Sequence, residues 1–457
     1  MTASCDLGSS AVLSLDDTLA PRSAPAAVAP RLPLLLSGAW TMGGAIVYVL
    51  APRVAPLVLP LSAVAPTLWH WAAMGRLSWH RPTAITLLLG AAGVYLLVNG
   101  TWSLDRSSAY SEIGCFLLFA AAISATIDGL RATPSPALRA MAIGFLAGVL
   151  LAGAFLCFEA FSQQAVHRLL IPHVPALLPA PRHLRMEAGV VVFLEPYLLN
   201  RSTTALALLL WPAALVRDRL ELSRSMRAIS LLGLALVVAT IFRSEHATAK
   251  IAVLGAGAMF AVARLSQGFA RRMAIGGWVA ITLLVAPLAT LAYSHQLYLA
   301  SWLPGSARQR IVIWGYTSEQ IGKAPLFGAG VSTARALNTT GDERAPRAPG
   351  SKYRLTTGWH SHNGYLQTWY ETGAVGALLL LGLGLLVLRS LAQAAAATQP
   401  YLYATFLSCA LMGGSSFSLW APWFMASFGL AAVFAVLGAE LVRPVRAGAA
   451  EAAAAAR

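Results

Sequence analysis

Apolar residues fill most of this chain in long blocks, and polar residues are confined to the gaps between them. The blocks lie near 33–51, 54–74, 83–100, 110–130, 138–158, 202–216, 226–242, 247–264, 272–293, 373–389, 400–419 and 423–442. A helix of about 20 predominantly apolar residues crosses a bilayer, and most of the blocks approach that length. A membrane β-barrel strand would alternate apolar and polar positions over about ten residues, whereas these blocks are continuously apolar. The pattern predicts an all-α, polytopic transmembrane helical bundle of about twelve spans. The second span carries Pro56, Pro60 and Pro66 just after Pro52. It should be the least regular, because an interior proline removes a helical N–H and crowds the preceding turn.

Two gaps are long. One runs from about Glu159 to Asn200 and holds His167, His173, His183 and Glu195; the other runs from about Ser294 to Thr372. Long connections of this kind are functional or disordered, and the second is not of low complexity, with Trp302, Trp314, Tyr316, Trp359 and Trp369 set among basic residues. The expected organisation is a disordered cytoplasmic tail at 1–32, a bundle of nine spans at 33–293, a large periplasmic loop at 294–372 before the tenth span, three final spans at 373–442 and a cytoplasmic tail at 443–457. Within the large loop, residues 310–322 read as a short amphipathic helix lying along the interface, with Ile311, Trp314 and Ile321 on one side.

Composition adds direction to this picture. The chain has 457 residues, 57% hydrophobic and 11% charged, with a mean hydropathy of +0.66; a soluble domain carries about 25% charge. The formal net charge is +15, but it is scattered between spans. A nucleic-acid partner would call for one basic face, so none is expected, and the surroundings are membrane lipids. Arg76 and Arg81, Arg131 and Arg139, Arg217 to Arg227, Arg264 to Arg272, Arg389, and Arg443 with Arg446 fall in alternate connections. The positive-inside rule makes those connections cytoplasmic and puts both long gaps outside. Residues 1–32 lack a basic start followed by an apolar core and do not read as a secretory signal. Cys5, Cys115, Cys157 and Cys409 show no metal-ligand spacing and read as small hydrophobes.

The residues able to carry chemistry gather where the large loop re-enters the membrane. Gly358-Trp359-His360-Ser361-His362-Asn363-Gly364 leads into a span that also holds Glu371, Gly373 and Gly376. Titratable groups at such a depth are costly unless used or well paired. His362 suits a general base, since an imidazole titrates near working pH, with Asn363 or Glu371 available to orient its ring; a structural histidine is the alternative. Two histidines fall short of the three protein ligands of a catalytic zinc, so no metal is expected. Arg310 reads either as a fork for diphosphate oxygens or as an interfacial arginine beside Trp314. Arg201 opens a span after Asn200, which makes it an anion site at a helix N-terminus or an interface anchor. Arg243, Glu245, His246 and Lys250 share a short outer turn, where Lys250 either pairs with Glu245 or contacts phosphate. Gly328 and Gly330 are not a nucleotide fingerprint, since no strand–helix unit surrounds them; they allow a tight turn.

These residues resemble, in type and order, the O-antigen ligase and polymerase superfamily, bacterial transferases of the GT-C type that act on lipid-linked glycans. The family pattern of His-Asn, nine residues and Gly-x-x-Gly falls on His362, Asn363, Gly373 and Gly376. Arg310 with Trp314, then Pro325 and Gly328-Ala329-Gly330, resembles the stretch ahead of it. Trp102-Ser103-Leu104-Asp105 resembles the family's Trp-Ser-x-Asp element, and Asn200-Arg201 its other key arginine. The resemblance implies an inverting, metal-independent glycosyltransferase at the periplasmic face of the bacterial inner membrane, needing no cofactor. Its donor would be an undecaprenyl-diphosphate-linked glycan and its acceptor a lipid A core or a glycan, in lipopolysaccharide or polysaccharide biosynthesis. It casts His362 as the catalytic residue, Arg201 and Arg310 as donor diphosphate ligands with Arg243 or Lys250 beside them, and His360 as an orienting group. Ligases, repeat-unit polymerases and protein oligosaccharyltransferases share the pattern and differ in acceptor; the histidine pattern favours a ligase, with a polymerase as the alternative. A lipid-linked glycan flippase would use the same arginines, but transporters of that kind are built from repeats around a midplane site, and here the chemistry gathers at one face.

Overall fold

The computed structural model of the chain describes residues 31–74, 82–174, 179–341 and 345–441. The expected tails, Cys5, and the loop residues Arg76, Arg81, Arg443 and Arg446 lie outside these, except that Arg31 and Leu32 open the first helix. The helices in chain order are α1 (Arg31–Leu50), α2 (Ala55–Ser62), α3 (Val64–Met74), α4 (Ala84–Asn99), α5 (Arg106–Ala132), α6 (Ser135–Phe161), α7 (Ala165–Leu170), α8 (Asn200–Arg219), α9 (Arg224–Arg243), α10 (Ala247–Leu265), α11 (Gln267–Ser294), α12 (Gly305–Ile321), α13 (Thr333–Gly341), α14 (Gly364–Ala392), α15 (Gln399–Gly414) and α16 (Pro422–Glu440). The protein is an all-α polytopic membrane bundle.

Among the described residues, nine helices are long and apolar enough to cross a membrane: α1, α4 with the turn after it, α5, α6, α9, α10, α11, α14 and α16. The other three expected spans also fall on helix but depart from that standard for local reasons. The second is split into α2 and α3 at Ala63, next to Pro60. The sixth, α8, carries Arg201 at its start and Arg217, Asp218 and Arg219 at its end. The eleventh stops at Gly414, short of the expected 419, leaving Ser415 and Ser416 outside helix.

Helix α8 is the axis of the larger core. Its residues from Ser202 to Leu210 are all buried, and α1, α2, α6, α10 and α16 close around it in one apolar cluster. A second cluster joins α10, α11, α14 and α15. The connection before α8 contains a small antiparallel hairpin, β1 (Leu184–Glu187) and β2 (Val190–Leu194). Ala188 and Gly189 turn it with φ of 49° and 80°, the paired positive values of a two-residue hairpin turn. The sequence reading has no strand here, although Val190-Val191-Val192-Phe193-Leu194 is β-branched and aromatic as strands are.

The long segment 294–372, leading into α14, is mostly ordered against the bundle. Helix α12 begins at Gly305, five residues before the expected start, and does not lie free along an interface. Ile311, Val312, Ile313 and Ile321 are buried, and it packs on α11 and α14. The last nine residues of that segment, 364–372, are already helical: they are the first turns of α14.

Helix α14 is broken at Gly373, whose φ of 61° and ψ of −163° leave the helical region. The break lies among buried residues, and the buried backbone groups it leaves unpaired cost about 1–3 kcal/mol each unless rebonded. The loop Pro325–Val331 rebonds them. Ala374 and Val375 donate their N–H groups to the carbonyls of Pro325 and Leu326, at 2.9 and 3.2 Å. The Tyr370 and Glu371 carbonyls accept from Ala329 and Gly330, both at 2.9 Å, and the Thr372 carbonyl accepts from the Tyr95 hydroxyl at 2.6 Å. Asn99, fully buried, donates to the Phe327 carbonyl at 2.8 Å and accepts from the Val331 N–H at 2.9 Å. Trp102 donates to the Gly328 carbonyl and Ser103 to that of Val331. The Trp102-Ser103 element thus clamps the glycine loop, and the loop repairs the helix. Gly328 and Gly330, with φ of 72° and 98°, make the tight turn expected of them.

Gly373 has two independent reasons to be glycine. Its φ is one that a side chain disfavours by about 1–2 kcal/mol, and a Cβ there would lie 2.4 Å from the Leu326 carbonyl oxygen. Gly373→Ala should therefore lower the melting temperature of the detergent-solubilised protein by several degrees, whereas Gly114→Ala, where a Cβ meets nothing within 4 Å, should leave it unchanged or raise it. Equal melting temperatures for the two variants would contradict this account of the break.

Candidate active site

The repaired helix carries its N-terminus to one end of the bundle, and the segment feeding it is tightly tied. Asn363 caps α14, its side-chain carbonyl accepting from Tyr365 and Leu366 N–H at 3.1 Å each; such a cap contributes about 1 kcal/mol. Trp314 on α12 donates its indole N–H to the Ser361 carbonyl at 2.8 Å, and the Ser361 hydroxyl donates to the Asn363 carbonyl at 2.7 Å. Between them His362 adopts a φ of 54°, in the left-handed region that a non-glycine residue enters only when its surroundings hold it there.

Two contacts fix the paired imidazoles. The His362 N–H donates to Nδ1 of His360 at 3.1 Å, with the two rings 4.1 Å apart between centroids. Nδ1 of His362 lies 3.2 Å from the Ser416 carbonyl oxygen. A carbonyl only accepts, so Nδ1 carries the proton and the lone pair of His362 sits on Nε2. Neither residue expected to orient this ring does so. Asn363 is committed to the helix cap. Glu371 is fully buried and accepts from the Ala334 N–H, the Gln367 amide and the Trp420 indole, so it braces α13 and the segment just before α16 against α14. The orienting group is a main-chain carbonyl, which sequence alone does not reveal.

That carbonyl belongs to the connector 415–421 between α15 and α16, and the other candidates converge on it. Arg310 donates to the Ser415 hydroxyl at 3.2 Å. The Thr248 hydroxyl donates to the Ser415 carbonyl at 2.7 Å. His246 caps α10 by accepting the Ala249 N–H at Nδ1, 3.3 Å away, and its Nε2 lies 3.1 Å from the Thr204 hydroxyl and 3.4 Å from that of Ser416. Just past the connector, Trp423 in the first turn of α16 receives the guanidinium of Arg201 over its ring at 5.8 Å. The Nε of Arg201 is buried without a hydrogen-bond partner, and α8 has no side-chain cap at the end where Arg201 sits.

Arg243 and Lys250 are not drawn into this group. Arg243 is exposed and lies over the Phe161 ring at 5.9 Å. Among the described residues no ion pair joins Lys250 to Glu245, so the expected alternative of an internal pair is not realised. Gly376 sits one turn beyond the break, where a Cβ would collide with the Thr372 side chain. It lines an apolar cavity beside the break with Leu88, Leu96, Phe116, Leu380 and Met425. Among the described residues no three His, Cys, Asp or Glu side chains are grouped to hold a metal. His246, Ser415 and Ser416 are the residues that sequence reasoning leaves without a role. The signal for the serines was the pair Gly413-Gly414 interrupting an apolar block.

Burial and positive charge set the protonation of the site. Burial holds His362 below the usual histidine range, helped by the charge of Arg310, with the Ser416 hydrogen bond acting the other way. Burial, His362 and Arg310 push His360 down to about 3, and burial with Arg310 pushes His246 down to about 4. All three imidazoles are neutral at neutral pH, beside an arginine that stays charged.

Comparison with known proteins finds a family match over part of the chain. Residues 231–381 match the family described as O-antigen ligase, which bears out the resemblance to that superfamily; the matched region contains His246, Arg310, His362, Gly373 and Gly376. The chain is similar to provisionally named polysaccharide ligases of Rickettsia: it is 24% identical to one from Rickettsia felis over 240 residues, which are 50% of this chain and 56% of that protein. It is 23% identical to one from Rickettsia conorii over 240 residues, 50% of this chain and 55% of that protein. The chain thus spans about half the length of the curated relatives it matches.

Because Arg310 disfavours imidazolium next to it, Arg310→Gln should raise the pKa of His360 and His362. Titration of the protein with 15N-labelled histidine, followed by NMR, reads this directly. The picture fails if both rings titrate at the ordinary histidine value in the unaltered protein, or if removing Arg310 moves neither.

Proposed function

We propose that the protein transfers a glycan from a lipid diphosphate to an acceptor hydroxyl at the outer face of a bacterial inner membrane. The observation that carries the reading is His362: its proton is committed to the Ser416 carbonyl, its Nε2 lone pair is free, and Arg310 bonds the adjacent Ser415. In the reaction an acceptor O–H meets Nε2 of His362 and gives up its proton there as the oxygen attacks the anomeric carbon. The bond from that carbon to the diphosphate oxygen breaks, the oxygen keeps the electron pair, and configuration inverts. Arg310 and Arg201 stabilise the charge that grows on the departing diphosphate, an electrostatic effect worth several kcal/mol in a site screened from water.

The neutral imidazole suits a base better than an anion ligand, which leaves anion binding to the arginines. The apolar cavity beside the Gly373 break would accept the first stretch of the donor's hydrocarbon chain. Undecaprenyl diphosphate is the carrier that the family resemblance implies. The His-Asn-x9-Gly-x-x-Gly pattern and the polysaccharide ligase names of the relatives favour a ligase with a lipid A core as acceptor. A repeat-unit polymerase would run the same chemistry on a second lipid-linked glycan.

Removing the base should lower turnover by about 10²–10⁴-fold, so His362→Ala should fold and bind donor but scarcely transfer glycan. Arg310→Lys keeps the charge and loses the planar fork, and should cost about tenfold or more in kcat. Both are read with purified protein and a lipid-diphosphate-linked glycan on gels. Full turnover by His362→Ala would remove the base, and full turnover by Arg310→Lys would remove the clamp.

A further inference from the structure

We infer that His246 is a positioning residue for the proposed base: its imidazole ties the first turn of α8 to the Ser416 segment, and so holds the Ser416 carbonyl where it fixes the proton of His362. The inference rests on the function proposed above. His246 touches neither His362 nor Arg310 through a hydrogen bond, yet three pieces of the site meet on its ring.

The tautomer of His246 follows from its partners. Nδ1 accepts the Ala249 N–H, so in the neutral ring the proton is on Nε2. The Thr204 hydroxyl donates to the Asn200 carbonyl at 2.9 Å, which leaves its oxygen to accept from Nε2 at 3.1 Å. Thr204 lies one turn along α8 from Arg201, so this bond links the arginine's helix to the cap of α10. The Ser416 hydroxyl, 3.4 Å from the same Nε2, brings in the residue whose carbonyl meets His362 at 3.2 Å. The Phe417 ring closes on His246 edge-on at 5.9 Å between centroids. His246 is buried, and burial together with Arg310 keeps it neutral, as donation from a single nitrogen requires.

A bland reading competes: His246 is only the N-cap of α10. The two separate cleanly, because asparagine is a better helix cap than most residues. His246→Asn keeps an acceptor near Nδ1 but has nothing at the position of Nε2. His246→Gln can place an amide N–H near Nε2.

The test measures two things on the full protein in detergent. The first needs no substrate: NMR of 15N-labelled histidine reports which nitrogen of His362 carries the proton. The unaltered protein should show Nδ1–H alone, His246→Asn a mixture of tautomers, and His246→Gln a partial return. The second is transfer kinetics. His246→Asn should lose about tenfold or more in kcat with the donor KM within about twofold, and Ser416→Ala added to it should cost little more, because both cut the same tie. An Asn variant with the native tautomer and native kcat would reduce His246 to a cap and overturn the inference, as would Nε2–H on His362 in the unaltered protein. If the tautomer shifts as expected while even the unaltered protein transfers no glycan, the proposed function fails and the positioning role stands.

Discussion

The structure depends on a long apolar helix that is broken among buried residues and mended by another part of the chain. Gly373 interrupts α14, and the exposed carbonyls and N–H groups of the break are taken up by Pro325–Val331, Tyr95 and Asn99. These backbone groups are buried, where an unpaired N–H or carbonyl is costly, so the loop, the Trp102-Ser103 element and the two halves of α14 are held as one piece. The N-terminal half of α14 is thereby fixed in direction. Its N-terminus carries Asn363 as cap and His362 as the residue immediately outside the helix.

The same logic explains the site. Polar groups enter an apolar bundle only in mutually satisfied sets. The connector 415–421 supplies carbonyls and hydroxyls to Arg310, Thr248, His246 and His362. A main-chain carbonyl is a stiff orienting partner for an imidazole, because it cannot rotate away or change protonation. The positive charge of Arg310 favours neutral imidazoles beside it, and in the proposed reaction it would also draw the anionic leaving group. The spare capacity lies at Arg201, whose buried Nε has no hydrogen-bond partner among the described residues and which sits over Trp423 just past that connector.

Much of this was legible in the chain. The apolar blocks gave the all-α bundle and the positions of its helices, because span length is imposed by the bilayer and not by fine packing. His362, Arg310, Arg201 and the two glycines stood out because polar residues and helix breakers are conspicuous in apolar surroundings. What stayed hidden depends on pairings between distant segments. Nothing in the sequence says that the Ser416 carbonyl meets His362, that Glu371 turns inward to Trp420 and Ala334, or that the glycine loop repairs α14. Asn363 illustrates the limit: next to a histidine it looks like a partner for the ring, and three-dimensional placement makes it a helix cap. Lys250 and Glu245 share one short turn, yet they make no pair, since closeness in sequence does not set side-chain direction.

The most direct test of the account is a reconstituted transfer reaction with purified protein, undecaprenyl-diphosphate-linked glycan and rough lipopolysaccharide, followed by gel and by release of undecaprenyl diphosphate. The account predicts glycan on the lipopolysaccharide and one undecaprenyl diphosphate freed for each glycan moved. Lengthening of the lipid-linked glycan alone would keep the chemistry and change the acceptor. Absence of both transfer and diphosphate release, with folded protein and intact donor, would contradict glycan transfer as the work of this site.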